Sequence, residues 1–165
     1  MDDAEDFRSF AAARLPALHR SAVMLCGDPY LAEDLVQEAL TRLYLVWDSG
    51  RINDPVAYSH TVLTRVFLTM IRRRSSTERA VAEVHDRGYR DPDVPELLAL
   101  REALDGLKPL DRAIVVLRYL EDRPVDEVAG IVRKSAGNVR VRASRALASM
   151  RPLLSDEPVH RQEAR

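Results

Sequence analysis

Residues 124–147 read PVDEVAGIVRKSAGNVRVRASRAL, and this stretch decides the fold of the second half of the chain. Its apolar residues recur at helical spacing over a short segment, and again over a longer segment that begins after Ser135. Arg133 stands between the two segments, where such turns commonly have glycine. The pattern predicts a short helix, a tight turn and a longer helix, which is the helix-turn-helix arrangement.

The longer helix is predicted to have two unlike sides. Its core side carries Val139, Ala143, Ala146, Leu147 and Met150. The opposite side has an amide that can pair with adenine, an apolar group that fits a thymine methyl, and guanidinium groups that neutralise phosphates. This is the shape of a helix that reads the major groove of a duplex. The candidate duplex-binding residues are Ser135, Asn138, Arg140, Val141, Arg142 and Arg145.

The charges are unevenly distributed along the chain. The 165 residues have a net charge of −1, yet residues 1–48 hold nine acids against four arginines, a net charge of −5. Residues 60–79 have a net charge of +4, and residues 133–151 have six basic residues and no acid. Two basic patches in a nearly neutral chain indicate two contacts with a polyanion.

Composition and length predict an all-α fold of one domain or two small ones, because 46% of the residues are apolar and no long alternating stretch occurs. The apolar runs are far shorter than the roughly 20 residues of a membrane span. The first residues show no export signal, so we expect a cytoplasmic chain without membrane contact. The single cysteine, Cys26, lies in an apolar run and is predicted to pack in the core.

Proline, glycine and polar residues divide the chain into two helical modules. Asp28-Pro29 and Asp54-Pro55 predict helix starts, since each pair offers a capping carboxylate followed by a proline. Pro16 predicts a break or kink. The first module has predicted helices at 4–14, 16–26, 29–47 and 55–74. A flexible linker at 75–95, with a short helix near 77–85, leads to helices at 96–106, 109–121, 124–132 and 135–150, and a tail occupies 152–165.

The helix at 55–74 carries the first basic patch. Val62, Leu63, Val66, Phe67 and Met70 share its inward face. The other face mixes cations with a hydroxyl and an apolar group, which suits the backbone and unstacked bases of a single strand. The alternative interpretation of these arginines is structural, because arginine at the C-terminal end of a helix complements the helix dipole. The candidate single-strand residues are Thr61, Arg65, Leu68, Arg72 and Arg73.

The helix at 29–47 has an acidic face. Asp34, Gln37 and Glu38 lie opposite an apolar side. Such a face rejects DNA, so it is either plain surface or a docking site for a basic partner protein.

Three stretches together resemble the extracytoplasmic-function sigma factors of bacterial RNA polymerase. They are AEDLVQEAL at 32–40, the segment from Ala57 to Arg74, and LKPLDRAIVVLRYLED at 107–122 with the helix-turn-helix after it. The resemblance covers about residues 5–151. It departs from the family pattern at Arg65, where asparagine is frequent, at Leu68, where arginine is frequent, and at Met70-Ile71, where aromatic residues are common.

The resemblance implies a role for each part of the chain. Residues 1–74 would form a sigma-2-like domain, in which Asp34, Gln37 and Glu38 dock on the β′ clamp and the helix at 55–74 meets the melted minus-10 element. Residues 96–151 would form a sigma-4-like domain that reads the minus-35 element. Core RNA polymerase, including its β flap, and promoter DNA are the implied partners, together with an anti-sigma factor as a further candidate.

Two other functions fit the residues alone. A one-component helix-turn-helix regulator would use the second module as a dimer on a palindrome. An all-α interaction protein would bind acidic proteins through its basic faces. An enzyme is disfavoured, because the sequence has no glycine-rich phosphate loop and no HExxH motif, and its four histidines are scattered. No cofactor is expected.

Overall fold

The computed structural model describes residues 2–48, 51–76 and 95–155, and every regular element in these ranges is helical. The predicted all-α fold is therefore confirmed. Helices α1 to α3 form the first module and helices α4 to α7 form the second. Their bounds are Asp3–Cys26 for α1, Pro29–Leu45 for α2, Pro55–Ser76 for α3, Pro95–Asp105 for α4, Pro109–Val115 for α5, Val125–Val132 for α6 and Ala136–Leu154 for α7.

The predicted helix starts form as expected. The Asp28 carboxylate accepts a hydrogen bond from the backbone N–H of Tyr30 at 2.9 Å, and the Asp54 carboxylate accepts one from Ala57 at 3.0 Å. The Ser135 hydroxyl caps α7 by accepting from the N–H of Asn138 at 3.1 Å. Each cap satisfies a backbone donor that has no partner inside its helix.

The predicted division of residues 4–26 into two helices is wrong. Helix α1 runs unbroken from Asp3 to Cys26 with Pro16 inside it. A proline inside a helix costs about 3 kcal/mol. Pro16 is exposed, whereas Leu18, Ala22 and Leu25 are fully buried beyond it. Burial of leucine side chains contributes about 1.5–3 kcal/mol each, so packing of this inner face outweighs the lost hydrogen bond.

Two further predicted helices differ from the observed ones. The helix at 109–121 is α-helical only to Val115 and continues as a π-helical turn over Val116–Leu120, closed by a bond from the Glu121 N–H to the Val116 carbonyl at 3.0 Å. Helix α7 extends to Leu154, so Pro152 lies within it rather than opening the tail. Residues 77–94 of the predicted linker, with its short helix near 77–85, and the tail beyond 155 lie outside the described residues. The ends of the predicted linker are helical, since α3 continues to Ser76 and α4 begins at Pro95.

One apolar cluster contains residues of both modules. Leu18 and Leu25 of α1 are buried in it together with Leu104 of α4, Val116 of the π-helical turn and Met150 of α7. We call this cluster the common core. A second cluster, the helix-turn-helix core, lies among α5, α6 and α7. It contains Ile114, Leu117, Val128, Ile131, Val132, Val139 and Ala143.

Candidate nucleic-acid interfaces

The turn between α6 and α7 positions the predicted duplex-binding helix. Helix α6 ends at Val132, and the next residue, Arg133, has a left-handed backbone with φ 57° and ψ 46°. The N–H of Lys134 then donates to the Ala129 carbonyl at 3.1 Å. Glycine commonly adopts this conformation at helix ends, because it has no Cβ to clash. Here an arginine adopts it, so the predicted turn forms without glycine.

The outward side of α7 presents a mixed basic and apolar face. Asn138, Arg140, Val141 and Arg145 are exposed, and Val141 keeps 48% of its surface accessible. The inward side is buried as predicted at Val139, Ala143, Ala146 and Met150, and Leu147 is half-buried. The helix therefore presents the residue types that read and straddle a major groove, while their binding role stays a prediction.

Arg142 differs from the other arginines of this face. Its side chain is half-buried, and Nη1 pairs with an Asp111 carboxylate oxygen of α5 at 2.8 Å. Its Nε donates to the Asn138 side-chain oxygen at 2.8 Å. These contacts tie Arg142 of α7 to α5 and to Asn138, so Arg142 supports the position of the Asn138 side chain as well as the charge of the face.

Helix α3 exposes only part of its predicted single-strand face. Arg65, Arg72 and Arg73 are exposed, as expected. Thr61 and Leu68 were expected to be exposed too, but Thr61 is buried and Leu68 packs against both apolar clusters. The reason is that α5 and α6 of the second module cover this side of α3.

The acidic face of α2 is exposed. Asp34, Gln37 and Glu38 all point to solvent, while the opposite side of α2 is buried. Glu38 forms an ion pair with Arg42 one turn along the helix. Glu38 also lines a shallow groove of about 330 Å³ with Arg74 of α3. The acidic face therefore borders the basic end of α3.

Sequence reasoning missed a buried polar cluster between the modules, which we call the interface cluster. It consists of Ser21, His60, Thr61, Glu121 and Arg123. The side chain of Arg123 is buried, and its Nη1 donates to the Thr61 hydroxyl at 2.7 Å. The His60 Nδ1 lies 2.8 Å from a Glu121 carboxylate oxygen. The sequence points to Thr61 only as a single-strand candidate, and no local pattern predicts the cluster, because its contacts join residues far apart in sequence.

The described residues contain no group of histidine, cysteine, aspartate or glutamate side chains that could hold a metal ion. None of the described helices is long and apolar enough to cross a membrane. The geometry thus defines an all-helical protein with a helix-turn-helix, a second basic helix and an exposed acidic helix.

Comparison with known families identifies this combination. The model described as Sigma-70 region 2 matches residues 10–77, and the model described as Sigma-70, region 4 matches residues 97–150. The chain is 34% identical over 151 residues to the RNA polymerase sigma-E factor of Streptomyces avermitilis, covering 88% of this chain and 83% of that protein. It is 32% identical to the sigma-E factor of Streptomyces coelicolor, covering 92% and 87%. The chain belongs to the extracytoplasmic-function sigma factors of RNA polymerase.

Solved structures agree with this assignment. The sigma factor RpoE of Bartonella quintana, solved with the anti-sigma factor NepR, superposes with a TM-score of 0.70 at 25% identity, covering 93% of this chain and 99% of that chain. The extracytoplasmic function sigma factor SigJ of Mycobacterium tuberculosis gives a TM-score of 0.61 at 30% identity, covering 87% and 53%. These findings favour a sigma factor over a one-component regulator.

Proposed function

We propose that this sigma factor binds core RNA polymerase through the acidic face of α2 and promoter DNA through α3 and α7. One observation carries the proposal. Asp34, Gln37 and Glu38 form an exposed acidic face on the same chain as the exposed basic face of α7. DNA repels the acidic face of α2 and attracts the basic face of α7. The chain can therefore bind a basic protein surface and a duplex at the same time.

The parts of the chain take the following roles in this proposal. Residues 1–74 act as the sigma-2-like domain, 75–95 as the linker and 96–151 as the sigma-4-like domain. The α2 face docks on the β′ clamp, and the second module contacts the β flap. Arg65, Arg72 and Arg73 contact the melted minus-10 strand, and α7 reads the minus-35 duplex. The chain performs no catalysis itself and acts in the cytoplasm, where polymerase and promoter lie.

An anti-sigma factor is a further proposed partner. The matched RpoE of Bartonella quintana was solved in complex with the anti-sigma factor NepR. The superposition extends over nearly all of both chains. A protein inhibitor of the same class is therefore a reasonable partner for this chain.

Co-elution with bacterial core RNA polymerase on a sizing column tests the docking role. The wild-type chain should co-elute with the polymerase. The double variant Asp34→Lys, Glu38→Lys should elute alone, because it reverses two charges of the acidic face. Both side chains are exposed, so the fold should survive, which circular dichroism checks.

A matched control reverses two exposed acids elsewhere. Glu102→Lys with Asp126→Lys makes the same change of net charge in the second module, where both side chains are exposed. This variant should still co-elute. Retained binding by the α2 variant, or equal loss by both variants, would remove the docking role from the acidic face.

A further inference from the structure

Three side chains beside the outward face of α7 are joined by hydrogen bonds, with Arg142 of α7 in the middle. The Arg142 Nη1 lies 2.8 Å from a carboxylate oxygen of Asp111 in α5. The Arg142 Nε donates to the side-chain oxygen of Asn138 at 2.8 Å. One guanidinium group therefore links α5 to the face of α7 that is proposed to bind the duplex. We call these three residues the Asp111–Arg142–Asn138 network.

The Asp111 end of the network is well anchored. The Asp111 side chain keeps 21% of its surface exposed and the Arg142 side chain 34%, so salt screens this ion pair less than a pair on the open surface. Helix α5 itself is held by Ile114, which is fully buried in the helix-turn-helix core. Because a guanidinium is planar and its donors point in fixed directions, the ion pair also restrains the direction of the Arg142 Nε–H.

The bond from Arg142 decides which way round the Asn138 amide lies. A guanidinium has only hydrogen-bond donors, so the amide oxygen, and not the amide nitrogen, must face it. The Nδ2 amino group then lies on the other side of the amide. Asn138 is an exposed residue, so this amino group is the part of the amide that remains for a ligand outside the chain.

Adenine and guanine offer different groups to such an amide. In the major groove, adenine has an acceptor at N7 and an amino donor at N6, whereas guanine has acceptors at both N7 and O6. A free asparagine amide pairs with adenine, because its oxygen accepts from N6 while its amino group donates to N7. The Asn138 oxygen has a second lone pair, but a second donor would approach it beside the Arg142 cation, which repels the positive hydrogens of an amino group. Guanine needs only the amino group of the amide.

We infer that the Asp111–Arg142–Asn138 network makes Asn138 favour guanine over adenine in the duplex that α7 contacts. Arg142 sets the preference by occupying the amide oxygen, and Asp111 is a positioning residue that acts through Arg142. The residue type of Asn138 alone predicts a contact with adenine, and the network reverses that preference. The inference rests on the proposed function, because it takes α7 to be the helix that contacts the duplex.

Selection from a library of duplexes with a randomised stretch tests the preference on the full chain, with and without core RNA polymerase. Bound duplexes are recovered and sequenced. Asn138→Ala identifies the base pair that Asn138 contacts, because selectivity at that position is lost. There the unmodified chain should bind guanine about 2- to 10-fold more tightly than adenine on the same strand, which is the range for one hydrogen bond. A preference for adenine, or equal binding of the two purines, would overturn the inference.

Arg142→Lys tests the role of Arg142 with the charge retained. Lysine has a carbon where arginine has Nε, so its ammonium group can stay beside Asp111 while the Asn138 oxygen becomes free. The preference at this position should turn to adenine, and the other positions of the selected sequence should stay the same. An unchanged preference for guanine would show that Arg142 does not set it.

Two substitutions of Asp111 form a matched pair, because both remove the same negative charge. Asp111→Asn keeps a side-chain oxygen that accepts from Arg142, so it should retain the preference for guanine. Asp111→Ala has no such oxygen, so the preference should fall below about 2-fold. The change of net charge strengthens binding of all sequences in both variants and does not distinguish the bases. Equal selectivity of the two variants, with folding checked by circular dichroism, would remove the positioning role from Asp111.

The same selection separates this inference from the proposed function. If the unmodified chain selects no sequence, with or without polymerase, α7 does not read a duplex and both the proposed function and the inference fail. A selected sequence without any position that depends on Asn138 keeps the duplex role of α7 and overturns the inference alone. Guanine at the Asn138 position, replaced by adenine in Arg142→Lys, supports both.

Discussion

The thiol of Cys26 packs against the common core at the end of α1 and donates to the Asp28 carbonyl at 3.2 Å. Burial, with a smaller effect of the Asp28 charge, raises its pKa from 9.0 to about 11. The thiolate fraction at pH 8 is then about 100-fold lower than for a free thiol. We expect iodoacetamide to alkylate the native chain about 100-fold more slowly than the urea-unfolded chain at this pH.

The raised pKa also fixes how this residue contributes to stability. The thiol ionises less readily in the folded chain than in the unfolded chain, so ionisation favours unfolding. The contribution of the protonated thiol to the free energy of unfolding is therefore complete below pH 9 and is lost as the pH rises towards 11. Equal alkylation rates for native and unfolded chains would show that the thiol is not shielded. The sequence predicted core packing for Cys26 from its apolar neighbours alone.

Residues whose partners are close in sequence were predictable, and residues whose partners are distant were not. The caps Asp28 and Ser135 act on backbone groups two or three residues away. Arg123 instead contacts Thr61 and Ala57, which are 62 and 66 residues away. Helical periodicity identifies the apolar side of a helix, but it does not show which other element covers a polar side.

At the scale of the element, α7 allows the DNA contact of single arginines to be tested. Arg140 is exposed, so Arg140→Ala should reduce the slope of log K against log salt for duplex binding by about one unit if it contacts a phosphate. Arg142→Ala should have the same effect and also lower the free energy of unfolding by about 1 kcal/mol, because it loses its Asp111 partner.

Fluorescence anisotropy with a labelled duplex at several salt concentrations measures the slopes, and urea unfolding measures the stabilities. An unchanged slope for Arg140→Ala would exclude it from phosphate contact. An unchanged stability for Arg142→Ala would show that its pair with Asp111 is energetically neutral.

Helix α1 shows why some element boundaries could not be predicted. Pro16 signals a break by local rules, yet the helix continues because Leu18 and Leu25 are buried against other helices. The same holds at Pro152, which α7 passes while Met150 is anchored in the common core. Tertiary burial overrides the local signal in both cases.

At the scale of the whole molecule, the common core predicts that both modules unfold together. Val116 is fully buried between them, so Val116→Ala should lower the free energy of unfolding by about 1–3 kcal/mol and shift one transition of the entire chain. Val141→Ala removes the same atoms from an exposed position and should change stability by less than about 0.5 kcal/mol.

Differential scanning calorimetry provides the measurement. Agreement between the calorimetric and van't Hoff enthalpies supports one cooperative unit. Two separate transitions, with only one of them moved by Val116→Ala, would contradict it.

The aromatic residues beside the docking helix give the molecule a built-in optical probe. Trp47 is the single tryptophan of the chain, lies just beyond the end of α2 and is half-buried. The rings of Phe7 and Phe10 lie 5.1 and 4.9 Å from its ring. Selectively excited tryptophan emission therefore comes from one known place, close to where polymerase is proposed to bind. A change in its intensity or wavelength would report events at that end of α2 without any added dye.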